Sequence, residues 1–236
     1  MREEAPTRMN DSPPSERVWA ICAARMLLMI AALAIWFGTQ ALLAKRAAPI
    51  HRIDDHLFAL TAGANSFLRH HPVGADDLLI VSSALIDLLG IFILLKAAFG
   101  PTIRPFLGLL MLFVLRQICQ GLISLPAPEG MIWHDPGFPT LLVTYSTSTD
   151  LFFSGHTAIA AFGATELARL RRRWLTRVAV GIAILEASVV IVLRAHYTMD
   201  VLTGILAALW FAGIAERLAP PVDRTLARLV GRRSTV

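Results

Sequence analysis

Six stretches of the chain, near 22–44, 77–98, 104–125, 152–169, 175–194 and 196–217, are almost continuously apolar. Each holds at most one Asp, Glu, Lys or Arg well away from its ends. A helix rises 1.5 Å per residue, so about 20 residues cross the roughly 30 Å hydrocarbon layer of a bilayer. The polar residues between these runs do not recur at the helical or strand period by which a soluble fold buries one face. The pattern therefore predicts an all-α, polytopic membrane protein with six transmembrane helices and one membrane domain over residues 22–217. The stretch 53–70 has apolar and polar residues on opposite sides of a helix and suits the membrane interface.

Six spans put both termini on one side. The arginines at 169, 171, 172, 173 and 177, those at 224, 228, 232 and 233, and Lys96 with Arg104 all fall on that side. By the positive-inside rule it is cytoplasmic. The opposite, outer side receives the loop 126–151, which has no Lys or Arg, the turn around Arg194, and the first loop, 45–76. In that loop Lys45, Arg46, Arg52 and Arg69 are countered by Asp54, Asp55, Asp76 and Asp77. Residues 1–21 read as a disordered cytoplasmic head. With Glu3, Glu4, Asp11 and Glu16 in it, the head is too long and too acidic for a secretory signal. Residues 218–236 read as a basic cytoplasmic tail.

Composition agrees with this picture. Hydrophobic residues make up 56% of 236 and charged residues 17%, with mean hydropathy +0.61, too apolar for a soluble domain of this length. The net charge of +5 does not point to nucleic acid, because most of the arginines sit in short loops and the tail. Cys22 and Cys119 lie in or beside apolar runs, without metal or disulfide spacing.

Two segments carry the chemistry: Asp150-Leu-Phe-Phe-Ser154-Gly155-His156-Thr157 and His196-Tyr197-Thr198-Met199-Asp200-Val201. Each sits where an outer loop enters a helix. A helix start presents free N–H groups and the positive end of its dipole, so Ser154, Gly155 and His156 suit a phosphate. His196 and Asp200 are four residues apart on one helix face, where the carboxylate can fix the imidazole tautomer and support an imidazolium. Either histidine alone reads as an interfacial polar residue. The two together, on the same predicted membrane face, read as an active site.

These motifs resemble the paired histidine motifs of the sphingomyelin synthases, a branch of the type 2 phosphatidic acid phosphatase superfamily. Arg116 and the stretch Leu125-Pro126-Ala127-Pro128 are similar to a further synthase motif, and Pro49 to Asp54 echo another faintly. The likeness spans roughly residues 105–215. It implies a phosphatidic acid phosphatase type 2-like bundle in which His196 is the nucleophile, Asp200 supports it and His156 is the general acid and base. Asp150, Ser154, Gly155, Arg116 and Arg194 would contact the substrate.

The chain departs from the phosphatase branch. Seven residues, not six, separate Lys96 from Arg104-Pro105, and both lie on the predicted cytoplasmic side, so they mimic that branch's first motif without serving it. Phe153 stands where the phosphatases have proline before Ser-Gly-His, and Val190 where they have arginine before the last histidine. A phosphate monoester dianion recruits several cations, so their loss fits a singly charged diester better.

Asp87, Arg116 and Glu186 lie within apolar spans, about 13–15 Å from the outer helix ends at 1.5 Å per residue. Intramembrane ionisable groups mark an ion pair or a polar cavity. Here they are either a structural pair with Arg116 or a polar floor beneath the histidines, in which Glu186 relays a proton. His134-Asp135 reads as a solvated loop pair, and Trp133 and Trp174 as interfacial anchors.

The resulting expectation is a lipid headgroup phosphotransferase working through phosphohistidine, with a phospholipid donor, a lipid alcohol acceptor of the ceramide or diacylglycerol class, and no metal or cofactor. A lipid phosphate phosphatase, with water as acceptor, and a non-catalytic lipid-binding or transport protein remain open alternatives. In a Cys22→Ala, Cys119→Ala background, a cysteine at Gly137 should react with an impermeant thiol reagent in intact cells, while one at Arg172 stays protected. The opposite labelling would place the site in the cytoplasm.

Overall fold

The apolar runs fold as helices in a computed structural model that describes residues 14–43, 45, 53–145 and 151–233. In chain order these are α1 (Pro14–Leu43), α2 (Leu57–His70), α3 (Pro72–Phe99), α4 (Arg104–Leu122), α5 (Gly155–Ala168), α6 (Arg173–Val192) and α7 (Thr198–Arg233). Among the described residues there is no strand.

Five of the helices, α1, α3, α4, α6 and α7, are long and apolar enough to cross a membrane. The sixth expected span is α5, which has 14 residues and is therefore only about 21 Å long. The expected count of six does not follow from helix length. Leu151 to Ser154 are as apolar as the helix itself, yet they run into the bundle as non-helical chain. The Ser154 amide donates to the Asp200 carbonyl at 3.1 Å. That bond starts α5 inside the bundle, where it packs against α3, α4, α6 and α7. Every residue from His156 to Gly163 is buried.

Two boundaries differ from expectation. Helix α1 begins at Pro14 and not near residue 22, so residues 14–21 extend the helix, while residues 1–13 of the expected head lie outside the described residues. Proline suits a first helical position, where its missing N–H has no partner to lose. Helix α7 passes residue 217 and Pro220-Pro221 to reach Arg233, through what was expected to be a separate tail. Asp223 explains the extension: it accepts from Arg25 at 2.8 Å, Thr102 Oγ1 at 2.6 Å and the Ile103 amide at 3.0 Å. The end of α7 is thereby docked on α1 and on the α3–α4 turn.

The intramembrane carboxylates find separate partners. Asp87 accepts from the backbone amides of Leu141 and Leu142 at 2.7 and 2.8 Å, which fastens the loop after α4 inside the bundle. Leu142 then packs so tightly on α3 that a Cβ at Gly90 would meet its side chain at 2.0 Å. Glu186 accepts from the Ser82 hydroxyl at 2.6 Å. Neither carboxylate is ion-paired to Arg116.

Helix α2 lies over the α6–α7 turn. Phe58 is buried against Tyr197, and Asn65 Nδ2 donates to the carbonyls of Gly130 and Val192 at 3.0 and 2.9 Å. Its other side leaves Leu60 and Phe67 exposed.

At the far end of α5 from His156, fully buried Glu166 is gripped by both guanidinium nitrogens of Arg104 and by Lys96 Nζ at 3.2 Å. Lys96 and Arg104 thus neutralise a buried carboxylate, about 15 Å along α5 from His156 at 1.5 Å per residue. Breaking a buried ion pair by removing one partner costs about 3–5 kcal/mol. Glu166→Gln should therefore lower the thermal unfolding midpoint in detergent clearly, whereas Glu216→Gln, at an exposed pair with Arg169, should barely move it.

Candidate active site

Ser154 starts α5 as its N-cap, its hydroxyl accepting from the Thr157 amide at 3.4 Å. The cap leaves the amides of Gly155 and His156 without intrahelical partners at the positive end of the helix dipole. Arg116 of α4 reaches the same spot, where its Nε donates to the Phe153 carbonyl at 2.9 Å. A Cβ on Gly155 would sit in ordinary contact with that nitrogen, at 3.4 Å, so the guanidinium lies directly against the helix start.

The second histidine arrives on the α6–α7 turn. His196 is 5% exposed, and its Nδ1 faces Asp200 Oδ2 at 3.6 Å. Asp200, 1% exposed, accepts on Oδ2 from the Tyr197 amide at 2.8 Å. Helix α7 comes close to α5 because residue 204 is glycine. A Cβ there would meet the Ser154 carbonyl oxygen at 2.7 Å and Thr157 Oγ1 at 2.8 Å, contacts that no other residue avoids without separating the helices.

His156, His196, Arg116 and Gly155 line one cavity of about 40 Å³. The remaining wall includes Trp133, whose ring meets the His156 ring edge-on at 5.2 Å. Behind Trp133 stands Tyr145, stacked at a tilt and hydrogen-bonded to the Ser83 hydroxyl. Burial pushes the Tyr145 phenol above its usual range, which keeps it protonated. His156 Nε2, His196 Nδ1 and Asp200 Oδ1 are buried with no hydrogen-bond partner. Such atoms carry a desolvation cost that folding alone does not offset, and they concentrate where function requires them.

The cavity is sunk within the bundle. It lies level with Ile86 of α3 and Arg116 of α4, which are about 21 Å from the start of α3 and about 9 Å from the end of α4 at 1.5 Å per residue. Water reaches such a place poorly, and charges there interact strongly.

The residues expected from sequence separate into groups. Arg116, Gly155, His156 and His196 meet at the cavity, Asp200 stands behind His196, and Ser154 caps the helix that carries His156. Asp150 lies outside the described residues, as do Pro49 to Arg52. Glu186 is removed from the cavity and bonded to Ser82. Arg194 is turned outward: its Nη1 donates to the Glu129 carbonyl at 2.5 Å and its guanidinium lies over the Phe58 ring at 5.1 Å. His134 pairs with Asp76 at 2.7 Å on the surface. Trp133 is a correction, since it packs on His156 and is not an interfacial anchor. A tryptophan in a Pro/Gly-rich outer loop gives no sign that the loop folds inward. Gly204 was also missed, because one glycine in an apolar span is ordinary.

Two imidazoles, a guanidinium and a helix start thus converge on one small, buried space. The guanidinium and the helix start fit a phosphoryl group, with the carboxylate-backed imidazole suited to nucleophilic attack.

A family model described as AtPDCT1/2 matches residues 54–217, which include Arg116, Trp133, Gly155, His156, His196 and Asp200. Over 160 residues the chain is 24% identical to phosphatidylcholine:diacylglycerol cholinephosphotransferase 1 of Arabidopsis thaliana, covering 68% of this chain and 52% of that protein. Over 114 residues it is 26% identical to phosphatidylcholine:diacylglycerol cholinephosphotransferase 2 of the same plant, covering 48% and 37%. The chain spans about half the length, or less, of these curated relatives. No solved structure matches it.

His196→Ala and Asp200→Asn should each cut phosphoryl transfer by roughly 100-fold or more while the protein still inserts, since general-base and nucleophile support is worth about that much. Near-normal turnover in either variant would exclude the pair from the chemistry.

Proposed function

The chain belongs to the AtPDCT1/2 family, and from that premise we propose that it is a membrane lipid headgroup phosphotransferase with a histidine nucleophile. The observation that carries the reading is the meeting of His156 and His196 at one buried cavity, with Arg116 against the α5 start and Asp200 behind His196. The proposed donor is phosphatidylcholine and the proposed acceptor diacylglycerol, the lipids in the names of the matched relatives. Ceramide is a second alcohol of the same type. The bundle is proposed to be of the phosphatidic acid phosphatase type 2 kind, with α5 as a short sixth span and the site toward the outer face.

In the first step a His196 ring nitrogen attacks phosphorus in line. The N–P bond forms, the P–O bond to the lipid glycerol breaks, and His156 gives its proton to the departing oxygen. Asp200 stabilises the charge on His196 as the phosphohistidine forms. Arg116, the α5 amides and, in the substrate-binding role expected for it, Asp150 order the headgroup. In the second step the acceptor hydroxyl loses its proton to His156 and its oxygen attacks phosphorus. The N–P bond breaks, and both histidines return to their starting states.

The depth of the cavity supports transfer over hydrolysis, because a lipid hydroxyl enters an apolar bundle more readily than water does. Among the described residues that line the cavity, Arg116 is the one guanidinium, which suits the single negative charge of a phosphodiester better than a monoester dianion.

The purified protein in liposomes, given choline-labelled phosphatidylcholine and a diacylglycerol of different chain length, should form labelled phosphatidylcholine carrying the new chains. Added acceptor should raise donor consumption above the hydrolytic background, and phosphatidic acid should be a poor substrate. Rapid phosphate release from phosphatidic acid without transfer to any alcohol would instead make the protein a lipid phosphate phosphatase.

A further inference from the structure

Helix α7 has an unusual start. Its first helical residue is Thr198, so Tyr197 occupies the cap position, where Ser, Thr, Asp or Asn usually satisfies the free amides. The Tyr197 side chain cannot do so, because its hydroxyl donates instead to the Pro126 carbonyl at 3.0 Å. Asp200, at the third helical position, reaches back to the Tyr197 amide, as the acidic half of a capping box does. The other half comes from elsewhere in the chain. Asp55, 143 residues away, accepts from the Thr198 amide at 2.6 Å and from the Thr198 hydroxyl at 2.8 Å.

Asp55 is tied to α2 at the same time, since its Oδ1 also accepts from the Leu57 amide at 3.0 Å. One carboxylate therefore starts α2 and secures the start of α7. The rest of α2 follows the same line, with Phe58 stacked on Tyr197 and Asn65 holding the end of α6. His196 sits immediately outside the α7 start, so the backbone that Asp55 holds is the backbone that aims the imidazole.

The division of amides also matters for Asp200. Its Oδ2 serves both the Tyr197 amide and the face of His196, while Oδ1 has no partner. With Asp55 removed, the Thr198 amide becomes a second orphan donor beside Asp200, at the positive end of the helix. The Asp200 carboxylate would then be drawn along the helix start and away from the imidazole.

We infer that Asp55 is a positioning residue for the reaction, supplying in trans the cap of α7 that frees Asp200 to support His196. The inference rests on the histidine phosphotransferase reading above. A small displacement of a reacting group can cost up to about 100-fold in rate, and nothing in this role touches lipid binding.

The test compares wild type with Asp55→Ala, Asp55→Asn and Thr198→Val in liposomes, measuring transfer from phosphatidylcholine to diacylglycerol and backbone amide hydrogen exchange. Asp55→Ala should lower kcat by roughly tenfold or more with KM within about twofold, within the range that misplacement allows. Exchange should quicken at Thr198 and its first-turn neighbours, and not in the middle of α7. Asp55→Asn, which keeps an acceptor oxygen, should recover part of kcat, and Thr198→Val, which keeps the amide bond, should lose the least. Unchanged kcat in Asp55→Ala, a rise in KM alone, or faster exchange throughout α7 would overturn the inference. If wild type transfers nothing, the functional reading fails, and so does the proposed role in catalysis. Exchange at Thr198 in Asp55→Ala then still decides the cap by itself, and unchanged exchange would remove that as well.

Discussion

The contact between the beginnings of α5 and α7 governs the site. Ser154 N donates to the Asp200 carbonyl, Gly204 lets the backbones close, and the two segments that carry histidine are thereby held at a fixed separation. In an apolar bundle this joint cannot be replaced by solvent, because an unpaired backbone group there has no water to fall back on. The candidate site residues are hung from it: His156 one residue into α5, His196 two residues before α7, and Arg116 reaching across to the non-helical chain that precedes α5.

The bundle manages its buried charges by the same rule. Glu166 is matched by Arg104 and Lys96 at one end of α5, Asp223 by Arg25 at the end of α7, and Asp87 by two backbone amides in the middle. These groups are saturated and hold the helices in register. By contrast, His156 Nε2 and His196 Nδ1 have no hydrogen-bond partner among the described residues, and both rings line one cavity.

Much of this was legible in the sequence, and the remainder was hidden for identifiable reasons. His156, His196 and Asp200 could be read because helix starts, spacing and residue type all pointed the same way, and Arg116 because an arginine inside an apolar run demands a partner. The length of α5 could not be read, since Leu151-Phe152-Phe153 is as apolar in extended form as in a helix. Pro220-Pro221 looked like a stop, and only the tertiary bonds of Asp223 carry α7 through it. Asp55 and Trp133 belong to loops whose composition suggests solvent. Their partners lie far along the chain, and no local pattern records such pairings.

The depth of the cavity has one more consequence, which concerns where molecules ride in a bilayer. A zwitterionic phospholipid holds its phosphate among the headgroups, whereas a lipid that ends in a bare hydroxyl has little to keep it there and settles lower. A site about 9–21 Å below the helix rims, by the rise of α4 and α3, is therefore nearer to the resting level of the second kind of molecule than of the first. On the proposed transferase reading, the donor would have to be pulled down to react, whereas the acceptor would already be at hand. Vertical position in the membrane would then act as a filter on the acceptor, one that requires no dedicated contact with the hydroxyl at all.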